Sequence, residues 1–186
     1  MNSGVDPKAR LVDGNALYRK NVDPLVLAKL AKKQEPFVAI LACSDSRVHP
    51  SKIFNLSIGD AFTVRVAGNS AADPSIMGSL EYAVVHLNVR AILVLGHTGC
   101  GAVKASYDEE AMSGSLSSVM MDMDRAKAKL DGKRAKDPDA VAEMNVKLQL
   151  RRLEDFSTVI QEAVNEGKLA LFGAMYDLAT GAVRFI

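Results

Sequence analysis

The chain is 186 residues long and 48% hydrophobic, and its 23 basic and 22 acidic side chains leave a formal net charge of +1. That length suits one domain with a buried core, here taken as residues 1–186. The mixed charge gives neither the basic footprint of a nucleic-acid binder nor a polybasic membrane patch.

In chain order, Asp6-Pro7 reads as a helix N-cap with proline at the first helical position, and Asp23-Pro24 repeats the signal. Leu25, Leu27, Ala28, Leu30 and Ala31 make a short apolar face that Glu35-Pro36 closes, so residues 1–33 are predicted to form a helical arm. Phe37 to Ala42 is a continuous apolar run, as expected of a strand covered on both faces. Ala61–Val66 and Ala91–Leu95 are further strands, the latter ending in glycine, and Lys168–Tyr176 is a fourth. After a turn at Ala179-Thr180-Gly181, Ala182–Ile186 pairs back as an antiparallel edge. Between the strands, one helix opens at Asp73-Pro74 and another helical pattern fills Val141–Asn165.

This alternation predicts an α/β fold: a mainly parallel central sheet of about four strands plus an antiparallel C-terminal edge strand, flanked by helices. Residues 108–140 form a variable helical and loop segment, with a short exposed helix over Leu116–Leu130. Its methionines, Met112, Met120, Met121 and Met123, suit packing on the body or on a neighbour better than a free interaction surface. The apolar runs are too short to span a bilayer. The start MNSGVDPKAR lacks an apolar signal core, which predicts a cytoplasmic location, or an organellar one if a transit peptide has been removed.

Parallel sheets place functional residues at the carboxyl ends of their strands. Both cysteines of the chain, Cys43 and Cys100, lie at or just beyond such ends. "CSDSR" follows the first strand, and "GHTGCG" places His97 three residues before Cys100 after the third. If these strands are neighbours, two thiolates and an imidazole meet with a fourth position free, a set that favours zinc over magnesium or calcium. Two unrelated buried thiols, or a dithiol redox pair without the usual C-x-x-C spacing, are the other readings of the same residues.

The segments "ACSDSRVHPSKIF", "GDAFTVRVAGN", "SLEYAVVHLNVRAILVLGHTGCGAVKA" and "GAMYDLATGAVRFI" occur in an order that resembles the β-class carbonic anhydrases, from about Gln34 to Ile186. The resemblance implies one zinc ion per chain, held by Cys43, His97 and Cys100. It implies a zinc-bound hydroxide oriented by an Asp45–Arg47 catalytic pair for the reversible hydration of carbon dioxide to bicarbonate. It also implies a substrate pocket lined by Gln34, Phe62, Ala67, Tyr82 and Gly101, some contributed by a partner in a homodimer or dimer of dimers. The family usually has asparagine where this chain has Val66.

Side chains two apart in extended chain point the same way, so Asp45 can follow Cys43 toward the open metal position. Held by Arg47, Asp45 orients the attacking oxygen; released, it becomes a fourth zinc ligand and closes the site. Phe62, Ala67 and Tyr82 suit an apolar gas, Gln34 can donate to a substrate oxygen, and Gly101 can offer its N–H. Of the other histidines, His49 reads as an exposed loop residue and His86 as a hydrogen-bonded core residue. The chain contains no tryptophan, which favours the always-open branch of the family. Carbonyl sulfide or carbon disulfide hydrolysis on the same scaffold, and a non-enzymatic zinc-stabilised interaction protein, are the alternative functions.

Overall fold

The computed structural model describes residues 6–108 and 114–186, and the chain divides after Gln34 into two compact units. The N-terminal unit holds α1 (Pro7–Asn21) and α2 (Pro24–Leu30). The capping signals operate as read. The Asp6 carboxylate accepts the Lys8 N–H at 3.0 Å, and that of Asp23 accepts the Leu25 N–H at 2.8 Å. Neither helix buries a residue, and Leu11 and Leu25 are 74% and 78% exposed.

The larger unit is built on a five-stranded sheet of order β2-β1-β3-β4-β5, with β1 (Val38–Cys43), β2 (Ala61–Val66), β3 (Ala91–His97), β4 (Ala170–Tyr176) and β5 (Val183–Phe185). The first four strands run parallel and β5 is antiparallel to β4. All six residues of β1 are buried, as the unbroken apolar run requires of a central parallel strand. Its two faces feed two core layers. Ala39, Leu41 and Cys43 pack with Ile92 and Val94 on one side, while Val38, Ile40 and Ala42 pack with Leu93 and Leu95 on the other.

The connecting helices are α3 (Pro50–Ile53), α4 (Pro74–Leu87), α5 (Gly101–Ala105), α6 (Leu116–Ala128), α7 (Pro138–Phe156) and α8 (Thr158–Asn165), with 3-10 turns at Ala67–Asn69 and Arg134–Lys136. No helix among the described residues is long and apolar enough to cross a membrane.

Three elements differ from the sequence reading. β3 does not stop before Gly96 but runs through it to His97. The glycine there serves packing, since an added Cβ would lie 2.6 Å from Val146 Cγ2 and 2.8 Å from Met175 Sδ. The helical pattern over 141–165 is two helices, parted at Ser157, whose backbone is extended (φ −125°, ψ 106°). The Ser157 hydroxyl accepts the Ile160 N–H at 3.2 Å and donates to Glu81 at 2.6 Å, so it restarts the chain as α8. Finally, α6 is not an exposed helix: Met120, Asp122, Met123 and Ala126 are buried and only Met121 of its methionines is exposed, while Met112 lies outside the described residues. Packing on the body explains the methionines.

Candidate metal centre and active site

The carboxyl ends of β1 and β3 lie side by side, because the two strands pair directly, Ala42 against Leu95. Cys43 is the last residue of β1, His97 the last of β3, and Cys100 the residue from which α5 starts. The ligand atoms of Cys43, His97 and Cys100 all lie within 4.8 Å of one another, and all three side chains are buried. His97 Nδ1 faces the Thr98 carbonyl oxygen at 2.9 Å, which makes Nδ1 the protonated nitrogen and leaves Nε2 as a lone-pair donor. That Nε2 is buried and has no hydrogen-bond partner. A buried acceptor without a partner is costly, and a metal ion between it and two sulfurs removes the cost.

The two thiols titrate as a pair. Hydrogen bonding from Cys100 pushes the Cys43 thiol down, against the opposing effect of burial. Cys100 is pushed up by its bond to Cys43 and by burial, because a second thiolate would face the first at close range. A dication in place of the shared proton would neutralise both sulfurs, so the donor set fits zinc.

Beside this cluster, Arg47 grips Asp45 in a two-pronged bond, Nε to Oδ1 at 2.9 Å and Nη2 to Oδ2 at 2.7 Å. The Arg47 backbone N–H donates to the same Oδ1 at 3.0 Å. These bonds hold the Asp45 carboxyl well below the usual carboxylate range, with the Arg47 side chain the largest cause and burial working against it. Among the described residues the metal-competent group contains Cys43, His97 and Cys100 but not Asp45, whose two carboxylate oxygens are both engaged by Arg47. The Asp45 loop is itself pinned by Arg65, which donates to the Cys43 carbonyl at 3.0 Å and the Asp45 carbonyl at 2.7 Å.

The expected pocket residues are only partly brought together. Gly101 adjoins the cluster directly after Cys100, and Ala67 opens the turn that follows Val66, the residue of β2 paired with Cys43. Phe62 and Tyr82 contact each other, with ring centroids 6.0 Å apart. Yet Phe62 pairs with Ala39, four residues before Cys43, which is about 13 Å along the strand. Tyr82 on α4 is 44% exposed, and Gln34 is an exposed residue at the end of the N-terminal unit. His49 is exposed, as read. His86 is not in the core: it is exposed and stacks on Tyr82 at 5.0 Å, because Leu80 and Ala83 face inward and turn it to the surface. Val66 is half-buried at the end of β2, paired with Cys43, and packs against the core.

Several contributors escaped the sequence reading. Arg65 was overlooked because its bonds go to backbone atoms. Asp139, which accepts the Gly99 N–H at 2.7 Å, belongs to a distant helix start. The Gly68 N–H donates to the Cys43 sulfur at 3.4 Å. One signal was available in the sequence: Asn145 and Gln149 interrupt the apolar stripe of α7 at helical spacing, and both are buried.

Comparison with known proteins supplies the context. A family model described as carbonic anhydrase matches residues 38–183. A carbonic anhydrase of Mycolicibacterium smegmatis is 36% identical over 189 residues, covering 96% of this chain and 88% of that one. The β-carbonic anhydrase CafA of Aspergillus fumigatus superposes with a TM-score of 0.86 at 30% identity, over 97% of this chain and 91% of that one. A structure from a study of two tetrameric β-carbonic anhydrases of Sordaria macrospora matches with a TM-score of 0.84 at 27% identity, over 96% of this chain and 95% of that one.

Proposed function

Since the chain belongs to the β-class carbonic anhydrases, we propose that it catalyses the reversible hydration of carbon dioxide to bicarbonate and a proton, with one zinc ion held by Cys43, His97 and Cys100. The observation that carries this reading is the partnerless, buried Nε2 of His97 between two thiols, next to an ion-paired Asp45. Zinc, when bound, supplies hydroxide near neutral pH by lowering the pKa of a coordinated water.

This chain's own residues do the rest. Asp45, kept ionised and aimed by Arg47, accepts a hydrogen bond from the attacking oxygen and turns its lone pair toward the carbon. Arg47 keeps that carboxylate from coordinating the metal, and Arg65 keeps the loop backbone in place. Gly101, at the start of α5, offers its N–H toward the substrate side.

The pocket is completed by a second copy of the chain. Phe62 and Tyr82 stand too far from their own cluster to wall it, and their partly exposed rings suit the neighbour's site. The bare apolar residues of α1 and α2 suit burial against a second copy, as does the sheet face around Phe37, Phe172 and Phe185. Together with the tetrameric relatives, this supports a homodimer or a dimer of dimers.

Stopped-flow hydration assays on metal-analysed protein, run alongside Cys43→Ser, test the reaction. Zinc-loaded protein that leaves carbon dioxide untouched but hydrolyses carbonyl sulfide or carbon disulfide would move the assignment to those gases. Light scattering tests the assembly; a monomer that is fully active would refute the shared pocket.

A further inference from the structure

Three polar side chains lie in the core behind the metal cluster and take no part in the reaction described above. Asp122 of α6 and Asn145 and Gln149 of α7 are each 1% exposed. On α7 they share a buried stripe with Val141, Ala142, Val146 and Leu153, where apolar residues would cost nothing to bury. Their hydrogen bonds join into one connected chain that ends on the backbone at Gly68. Arg152 and Arg125 hold Asp122, Gln149 Nε2 donates to Asp122 at 3.2 Å and to Asn145 Oδ1 at 2.9 Å, and Asn145 Nδ2 donates to the Gly68 carbonyl at 2.8 Å. The same side chains grip the next residues of that turn. Gln149 Oε1 accepts the Ala71 N–H at 2.9 Å, and the Ser70 hydroxyl donates to Asp122.

Gly68 is the far end of the chain of bonds, and its N–H donates to the Cys43 sulfur. Its φ of +69° is a conformation that glycine enters and leaves freely, so the backbone alone does not hold the N–H on the sulfur. The bond from Asn145 to the carbonyl on the other side of the same Cα does. A hydrogen bond to a thiolate ligand withdraws electron density from the sulfur and orients it toward the metal.

We propose that Asn145 is a positioning residue of the metal centre: backed by Gln149 and Asp122, it fixes Gly68 so that its N–H stays on the Cys43 sulfur, and thereby sets the strength of that sulfur as a metal donor. The inference rests on the zinc-site reading above. It adds a residue that touches neither metal nor substrate.

The test compares wild-type protein, Asn145→Ala and Asn145→Ser, the last smaller than asparagine but still able to donate. Zinc affinity is measured by chelator competition, and the sulfur-to-cobalt charge-transfer band is recorded on cobalt-substituted protein. Asn145→Ala is expected to bind zinc about 10-fold more weakly, because the sulfur is no longer held in its orientation toward the metal, and to move the band to longer wavelength, because the sulfur loses a hydrogen bond and becomes more electron-rich; Asn145→Ser should fall between. A folded Asn145→Ala with a wild-type band overturns the assignment, even if its melting temperature drops, because the residue is then only structural. Failure of both variants to fold overturns it in the same way. A wild-type protein that binds no metal, or shows no sulfur band, sinks the zinc site itself and is told apart by appearing before any substitution.

Discussion

The Arg47 guanidinium meets the Asp45 carboxylate along two near-parallel bonds of 2.9 and 2.7 Å, although only one residue separates them in the chain. This ties a mostly exposed cation to a carboxylate that is 13% exposed, and it fixes the direction in which the carboxylate can accept. Arg47→Ala should therefore lower kcat/KM by about 100-fold while bound zinc stays at one per chain. Arg47→Lys should recover little, since an ammonium cannot make both bonds. Full activity in Arg47→Ala would contradict the role.

The pH dependence follows with a definite sign. Asp45 has its pKa depressed by Arg47, so its contribution to stability is complete above the ordinary value of 3.8 and is lost as pH falls through the lower folded value. It does not titrate between about pH 6 and about pH 9. Two thiolate ligands would cancel the charge of a bound zinc ion, whereas imidazoles would leave it positive, so the proposed centre would be a weaker Lewis acid and activity should rise into mildly alkaline pH. Initial rates across that range check this, and a flat profile is the contrary result.

Removing a ligand should remove the metal. Cys43→Ser is expected to weaken zinc binding by at least about 100-fold and to lose activity in the same proportion, as read by metal analysis beside the assay. In zinc-loaded wild-type protein both thiols should resist a disulfide reagent, and both should react after chelation. Rapid reaction with metal in place would favour the dithiol redox reading.

Gly96→Ala probes the packing that carries His97. The new methyl meets Val146 and Met175 at less than 3 Å, one residue before the ligand. The expected cost is about 1–3 kcal/mol in denaturant melts. Val146→Ala should relieve part of it in the double variant, because Cγ2 of Val146 is the nearest obstacle.

What was legible in the sequence was whatever lay within one short stretch. The caps at Asp6 and Asp23, the apolar run of β1 and the ligand-bearing strand ends all have local signatures, and each stands close to where it was read. Ser157 was missed because one extended residue scarcely disturbs a helical period. Asn145 and Gln149 broke the apolar pattern visibly, but what they hold lies 77 and 78 residues away, beyond the reach of spacing arguments. His86 went astray because an apolar helix has more than one side, and periodicity alone did not tell which side the body covers.

The pairing of Ala42 with Leu95 has one last implication. Side chains alternate along a strand, so sliding β3 by a single residue would aim His97 at the opposite side of the sheet. Such a misassembled chain could still collapse into a dense particle with much of its helix intact, yet it would be blind to zinc. If the chain takes up zinc as proposed, uptake would double as a fidelity check on strand alignment, one that a melting curve or a circular dichroism spectrum would pass over.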